Sequence, residues 1–339
     1  MQAIVQPLAV SLGDPSGIGP EVTAKAWAAR EANGLASFFA IGDARSIEAV
    51  WDGPIARITD PGQAAAAFAT ALPVIQVEDA GDIRPGHPNA EGARCALASL
   101  EMALGLARSV AASALVTSPI SKVCLYEIGF THPGQTEFVA ERCGISPANA
   151  VMMLAGPSLR VVPVTTHIPL STVAETLSID LILCKARVTA KGLKRSFGIQ
   201  NPRIAVAGFN PHAGESGQIG REEIDIIIPA IEILRAEGMD ITGPIPADAM
   251  FHARARESYD VALCMYHDQA LIPLKTLHFD DGVNVTLGLP IVRTSPDHGT
   301  AFDIAGQNRA APGAMIAAIK MASQAARLRL LCEVRQAQC

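Results

Sequence analysis

At 339 residues the chain exceeds the ~250–300 residues at which a single core stops growing, so two domains are expected. Apolar residues make up 49% and charged residues 18%, which excludes a disordered chain. A net charge of −6 argues against nucleic acid as partner, while the low aromatic content of 4% with 28 Gly and 23 Pro favours a turn-rich α/β enzyme over a β-sandwich.

The N-terminus, Met-Gln-Ala-Ile-Val-Gln-Pro, carries no basic residue ahead of its apolar part and does not read as a signal peptide. No uninterrupted apolar run reaches the ~18 residues of a membrane span. The seven cysteines (95, 124, 143, 184, 264, 332 and 339) are odd in number and form no Cys-x-x-Cys pair. A reducing, cytoplasmic setting is expected, without a disulfide framework.

Leu8–Leu12 is the first strand candidate, followed by Gly13-Asp-Pro-Ser-Gly-Ile-Gly-Pro-Glu21, a glycine-rich turn into a helix. Pro20 suits the first helical position and Glu21 the positive N-terminal end. The third glycine of a dinucleotide fingerprint is missing, so this stretch is read equally as a tight turn or as part of a ligand site. Further strands are expected at 38–41, 74–77 and 114–117, with helices around 63–71 and 89–112. Beyond Lys122 a second βα series follows: strands at 150–154, 159–165, 204–209 and 241–246, and helices at 170–197 and 222–237. The strand 261–265 and a final helix, 313–331, are expected to return to the first domain. The fold class is therefore a two-domain α/β protein with mostly parallel sheets. Its expected divisions are 1–125 plus 256–339 and 126–255.

Three apolar runs end on a histidine: 160–167 on His167, 203–212 on His212 and 261–267 on His267. In open α/β sheets ligands sit beyond the carboxyl ends of strands, so titratable groups there are well placed for chemistry. Three imidazoles suit a divalent ion and leave a position open for substrate. Each alone reads as an ordinary hydrogen-bonded strand-end histidine; the shared placement points to metal. Asp248 and Asp268 are candidates to orient a ligand or hold substrate. Lys275, Asn284 and Arg293 interrupt apolar runs, where a buried polar group needs a partner, and together would receive a phosphate. The small-residue loop Thr294–Gly306, with Asp297, Gly299, Thr300 and Asp303, has the composition of a nucleotide cradle.

These motifs, with Thr117-Ser-Pro-Ile-Ser-Lys122, Gln135-Thr136-Glu-Phe138, Asn210-Pro-His-Ala-Gly-Glu215, Gly220-Arg-Glu-Glu223 and Tyr266-His-Asp-Gln269, resemble the 4-hydroxythreonine-4-phosphate dehydrogenase family of the vitamin B6 pathway. The resemblance covers essentially the whole chain. It implies an isocitrate/isopropylmalate dehydrogenase-like fold and a homodimer formed through the second domain. It implies NAD or NADP as cofactor, cradled by Asp297, Gly299, Thr300, Asp303 and Gly306. One divalent metal (Zn, Mg or Co) would be held by His167, His212 and His267 from both chains. The substrate would be bound by Gln135, Thr136, Lys275, Asn284 and Arg293, with Lys122, Asp248 and Asp268 as catalytic candidates.

The expected reaction oxidises 4-phosphohydroxy-L-threonine to 2-amino-3-oxo-4-phosphooxybutanoate, which decarboxylates to 3-amino-2-oxopropyl phosphate. The family pattern has a His-Thr pair where this chain has Gln135-Thr136, and Gln cannot carry a proton. His132, three residues earlier, is a candidate replacement. Two alternatives stay open: a sister dehydrogenase acting on another phosphorylated four-carbon hydroxy acid, or a zinc hydrolase.

Overall fold

The computed structural model describes residues 5–337; the first four residues, read above for a targeting signal, and Cys339 lie outside them. Strand β1 is Leu8–Ser11, β2 Phe38–Gly42, β3 Ile55–Ile58, β4 Leu72–Gln76 and β5 Leu115–Thr117. Strand β6 is Val151–Gly156, β7 Leu159–Pro163, β8 Ile204–Ala207, β9 Ile241–Ile245, β10 Val261–Cys264, β11 Val283–Leu287 and β12 Arg293–Pro296. The chain forms two compact units, Met1–Gly144 with Leu289–Cys339, and Ile145–Gly288. Among the described residues no helix is long and apolar enough to cross a membrane.

In the first unit the strand order is β3-β4-β2-β1-β5-β12, with every neighbouring pair parallel. Strands β1, β2, β5 and β12 are buried throughout, as parallel strands covered on both faces should be. The helix Ala90–Arg108 buries Ala93, Ala96, Leu100 and Leu104 at helical spacing and packs on β1 and β2. Asn89 starts it, its side chain accepting the Gly92 N–H at 2.7 Å.

The strand order changes direction at β1, whose two neighbours are β2 and β5, and such a switch point opens a crevice at the carboxyl ends. The loops leaving β1 and β5 are tied together there. Asp14 N–H donates to the Pro119 carbonyl at 3.0 Å, and Ser118 N–H to the Ser11 carbonyl at 3.0 Å. Gly13, at φ 68°, makes that approach feasible: a Cβ on it would lie 2.1 Å from the Pro119 oxygen.

The second unit has the order β11-β6-β7-β10-β8-β9. Pairs β11–β6 and β6–β7 are antiparallel, whereas β7–β10, β10–β8 and β8–β9 are parallel. The expected return of 261–265 to the first domain does not occur. β10 is hydrogen-bonded on one edge to β7 and on the other to β8, so both its edges are satisfied within the second unit. The divisions accordingly fall after Gly144 and Gly288 instead of near 125 and 255.

Two helices also differ from expectation. The long one starts only at Ile179, where the Ser178 hydroxyl accepts the Leu181 N–H, and Leu170–Thr176 forms short turns before it. The expected helix at 222–237 opens with a π-turn, Glu223–Ile227, before the α-helix Ile228–Ala236. The helix His267–Leu277 is pinned at its far end by His278. The ring of His278 bridges the Ser158 hydroxyl (2.8 Å to Nε2) and Asp281 (3.2 Å to Nδ1).

Replacing Gly13 with Ala places a side chain both in the left-handed region and against a backbone oxygen that cannot swing away. Gly13→Ala is expected to destabilise the chain by about 2 kcal/mol or more, read as a lowered urea midpoint at unchanged m-value. An unchanged midpoint would show that the β1 and β5 loops are not packed this closely.

Candidate active site

The parallel run β7-β10-β8 delivers the three expected histidines to the same edge of the second unit. His167 leaves β7, His267 leaves β10 and His212 leaves β8. The first two are locked together. Val164 N–H donates to the Cys264 carbonyl at 2.7 Å, and the Thr165 hydroxyl to the Met265 carbonyl at 2.8 Å, extending the ladder beyond the strand ends. The His167 and His267 ring centroids stand 5.6 Å apart, in a pocket also lined by Thr165, Tyr266 and Asp268. Two imidazoles bound to one ion at ~2 Å per nitrogen place their centroids roughly 5–6 Å apart, so this pair fits a shared divalent cation.

His212 is not drawn into that pair, and among the described residues no three His, Cys, Asp or Glu side chains are grouped as a metal site. It sits instead in a turn of unusual hand. Residues His212, Ala213, Gly214, Glu215 and Ser216 have φ of 51°, 52°, 80°, 43° and 54°, five left-handed residues in succession of which one is glycine. Such a conformation costs ~1–2 kcal/mol for each non-glycine residue, so the surroundings must enforce it. His167 shares the trait, at φ 54°.

His212 and His267 share a second trait: Nδ1 faces a carboxylate from the same chain. Glu215 lies 3.1 Å from His212 Nδ1, and Asp268 lies 2.7 Å from His267 Nδ1. A carboxylate on one nitrogen fixes the ring and leaves Nε2 as the donor toward a metal. Asp268, expected among the catalytic groups, is therefore engaged as the orienting partner of His267. Asp248 is exposed on the turn Ala247–Ala249, which packs beside the left-handed turn of His212.

Two buried side chains that sequence reasoning passed over organise these exits. Gln269 accepts the Met265 N–H at 2.6 Å and donates to the Gly208 carbonyl at 2.7 Å, tying the end of β10 to the end of β8. Glu223 accepts backbone N–H groups just ahead of His212. Both close a quoted motif, Tyr266-His-Asp-Gln269 and Gly220-Arg-Glu-Glu223, and a polar residue ending a motif is the signal that was available.

Lys275 lies on the helix His267–Leu277, two turns beyond His267, and faces a groove with His267, Asp268 and Leu271. Asn284 sits on β11, and its buried Oδ1 has no hydrogen-bond partner among the described residues. Arg293, the third member of the expected phosphate trio, belongs to the first unit, on β12.

In the first unit, the carboxyl ends of β1, β5 and β12 carry the remaining candidates. Arg293 is 4% exposed and donates from Nη2 to the Thr117 hydroxyl at 2.8 Å and from Nη1 to the Thr136 hydroxyl at 3.4 Å. Burial pulls its pKa down to about 10, against the opposing charge of Glu137. Gln135 and Thr136 open the helix Gln135–Arg142, and Gln135 Nε2 donates to the Ser118 carbonyl at 3.1 Å. That bond orients Gln135 Oε1 as an acceptor, which is buried and without a partner among the described residues. Lys122 begins the helix Lys122–Glu127; its Nζ would lie 3.8 Å from a Cβ at Gly134, beside the same helix start. His132 is held edge-on by Phe130 and Phe138, with Nδ1 3.6 Å from Glu141.

The loop after β12 packs on the glycine-rich turn after β1. Ile18 N–H donates to the Thr300 carbonyl at 3.0 Å, and Gly17 approaches Thr300 closely. Ser16 in turn accepts the Gly86 N–H at 2.8 Å, while Gly86 and Gly306 press against Phe302 and Pro85. Gly299 has open space around it, Asp303 is exposed, and Asp297 opens the loop at the end of β12. The 13–21 turn, read either way from sequence, is thus the support on which the 297–306 loop rests.

The family model described as Pyridoxal phosphate biosynthetic protein PdxA matches residues 35–322. A 4-hydroxythreonine-4-phosphate dehydrogenase of Zymomonas mobilis is 60% identical over 322 residues, covering 95% of this chain and 96% of that protein. The crystal structure of 4-hydroxythreonine-4-phosphate dehydrogenase from Klebsiella pneumoniae superposes with a TM-score of 0.86 at 38% identity, covering 95% of this chain and 99% of that one. A terephthalate 1,2-cis-dihydrodiol dehydrogenase from Burkholderia xenovorans LB400 superposes with a TM-score of 0.64 at 30% identity, covering 95% and 98% of the two chains.

Asp14 provides a pH test of the β1–β5 crevice. Burial pushes its carboxyl up to about 6, although the Ser16 N–H it accepts works the other way. A raised folded pKa means the folded state holds the proton more tightly. The stabilisation is fully present below the unfolded value of 3.8 and is lost as pH rises through about 6. Asp14→Asn should therefore be more stable than the parent at pH 7 by on the order of 1–3 kcal/mol, with the difference shrinking toward pH 4. Urea unfolding of both proteins across that range checks this; a pH-independent difference would contradict it.

Proposed function

The chain belongs to the pyridoxal phosphate biosynthetic protein PdxA family, and on that premise we propose that it oxidises 4-phosphohydroxy-L-threonine to 2-amino-3-oxo-4-phosphooxybutanoate. The protein is an oxidoreductase, and its hydride acceptor is a nicotinamide cofactor. The product is a β-keto acid, which loses CO2 to give 3-amino-2-oxopropyl phosphate on the route to vitamin B6.

The observation that best supports this substrate is Arg293. A guanidinium buried beside two hydroxyls gains most from a multiply charged anion with which it can form charge-assisted hydrogen bonds. The start of the Gln135–Arg142 helix adds backbone N–H groups of the same polarity. Lys275 and Asn284, on the second unit, are proposed as substrate-binding residues in their own right. Gln135 and Thr136 are proposed on the substrate itself; with Gln at 135 the contact is a hydrogen bond and not a proton transfer. Asp297, Gly299, Thr300, Asp303 and Gly306 are proposed to hold the nucleotide.

A divalent ion is proposed at His167, His212 and His267, whose three imidazoles are a donor set suited to Zn or Co; Mg, the third ion the resemblance implies, prefers oxygen ligands. An ion held there would supply the Lewis acidity that lowers the pKa of the reacting alcohol, and a nicotinamide held by the 297–306 loop would supply the hydride acceptor. One chain brings two of the three histidines together, which favours a set completed across a homodimer. Largely exposed apolar side chains on the second unit, Leu170, Ile272 and Phe279, support that assembly. Lys122 and Asp248 are alternative candidates for the base that takes the hydroxyl proton, and Asp268 is proposed to hold His267.

The Burkholderia xenovorans neighbour is named for a terephthalate dihydrodiol, whose carboxylates a buried guanidinium would also hold, so activity with the phosphorylated substrate itself separates the two readings. Arg293→Met is expected to raise KM for the phosphorylated substrate about a hundredfold while nicotinamide-nucleotide affinity stays within a few-fold, consistent with losing a charge-assisted pair. Unchanged KM would remove Arg293 from the substrate and reopen the sister reading.

A further inference from the structure

We propose that Glu223 is a positioning residue, whose buried carboxylate folds the His212 turn and so holds that imidazole in the geometry a metal ligand requires. The inference rests on the reading of His212 as a ligand and adds the group that presents it.

Glu223 is 1% exposed, and both of its oxygens act as acceptors. Oε1 accepts the Phe209 N–H at 2.8 Å and the Asn210 N–H at 2.7 Å, the two amides immediately before Pro211-His212. Oε2 accepts from Asn210 Nδ2 at 2.8 Å, and the same nitrogen donates to Glu222 at 2.6 Å. Of the side chains that fit this volume, only a carboxylate accepts at every one of these contacts.

The backbone is shaped around that carboxylate. A Cβ on Gly214 would lie 2.7 Å from Glu223 Oε2, and one on Gly208 would lie 3.3 Å from Oε1 and 2.9 Å from the Ala213 Cα. Strand exit and left-handed turn therefore close on Glu223 from two sides. The residue heads the π-turn Glu223–Ile227, a local insertion of the kind that recurs at functional sites.

A purely architectural role explains this poorly. Burying a carboxylate is costly, and the donors that offset the cost all come from the Phe209–Asn210 strand exit that leads into the His212 turn. The turn it supports is strained, and it presents an imidazole that is 70% exposed, so core packing gains little from it. What the arrangement does achieve is a fixed backbone direction at His212, with Glu215 three residues on facing Nδ1.

Cobalt(II) titration of the chelator-treated full-length protein tests the proposal, read both as affinity and as the visible spectrum of the bound ion. In Glu223→Gln the amide turns a donor toward Asn210 Nδ2, and in Gly214→Ala the new methyl group meets Glu223 from the other side. Both variants are expected to bind cobalt about tenfold or more weakly, with an altered spectrum. Nicotinamide-nucleotide affinity, which reports on the first unit, should be unchanged. His212→Ala should lose more affinity than either. Parental affinity and spectrum in Glu223→Gln and Gly214→Ala, beside a clear loss in His212→Ala, would overturn the proposal and leave the ligand reading standing. Parental affinity in His212→Ala would overturn the ligand reading and this inference with it.

Discussion

Parallel pairing of neighbouring strands forces their carboxyl ends onto a common edge, and each unit's candidate chemistry depends on that constraint. In the second unit β7, β10 and β8 run side by side, so residues that leave them in sequence positions far apart emerge as neighbours. In the first unit β1, β5 and β12 do the same for the glycine-rich turn, the Ser118–Lys122 segment and the loop beginning at Asp297. No short spacing motif is needed when the register of a sheet supplies the proximity. Burial of the apolar strands β1, β2 and β10 and of the polar strand β12 fixes that register, because a slip by one residue would exchange the side chains packed on the two faces.

Beyond the strand ends, the fold relies on buried polar groups with defined partners. Gln269 joins two exits through one amide, Glu223 gathers three donors, and Arg293 sits between two hydroxyls. Such groups stabilise little in net terms, yet leaving any of them unpaired costs ~1–3 kcal/mol, so they select one loop conformation over its competitors. The left-handed turn at 212–216 shows the consequence. Four non-glycine residues there oppose the local preference of the chain, and the network at its base overrules them.

Much of this was legible in the sequence. Short apolar runs bounded by glycine and proline mark nine of the twelve strands to within a few residues, and the three histidine exits follow from where those runs stop; β3, β11 and the polar β12 were not anticipated. The assignment of β10 to a unit was not legible, because a run such as Val261–Cys264 carries no mark of which neighbours will pair with it. Neither was the π-turn at Glu223, since the near-continuous isoleucine run Ile226–Ile228 hides the phase shift that an extra residue makes. The break ahead of Ile179 was readable in principle, from Ser178 as a cap, but the continuous apolar periodicity masked it. Sequence reasoning ranked the exposed, titratable residues and passed over Gln269 and Glu223. A buried polar residue looks like any other until its partners are known.

The proposed oxidoreductase chemistry gives each of these parts a role: Arg293 as the proposed anion grip, the 297–306 loop on the 13–21 turn as the proposed nucleotide cradle, and the imidazoles at the ends of parallel strands as the proposed metal ligands. The most direct measurement is nicotinamide reduction by the purified protein with 4-phosphohydroxy-L-threonine, before and after chelator treatment and after return of a divalent ion. The account predicts one reduced nicotinamide per substrate consumed, loss of turnover on chelation and recovery with the ion. A metal-loaded protein that reduces no nicotinamide with this substrate, or turnover that chelation leaves untouched, would contradict it.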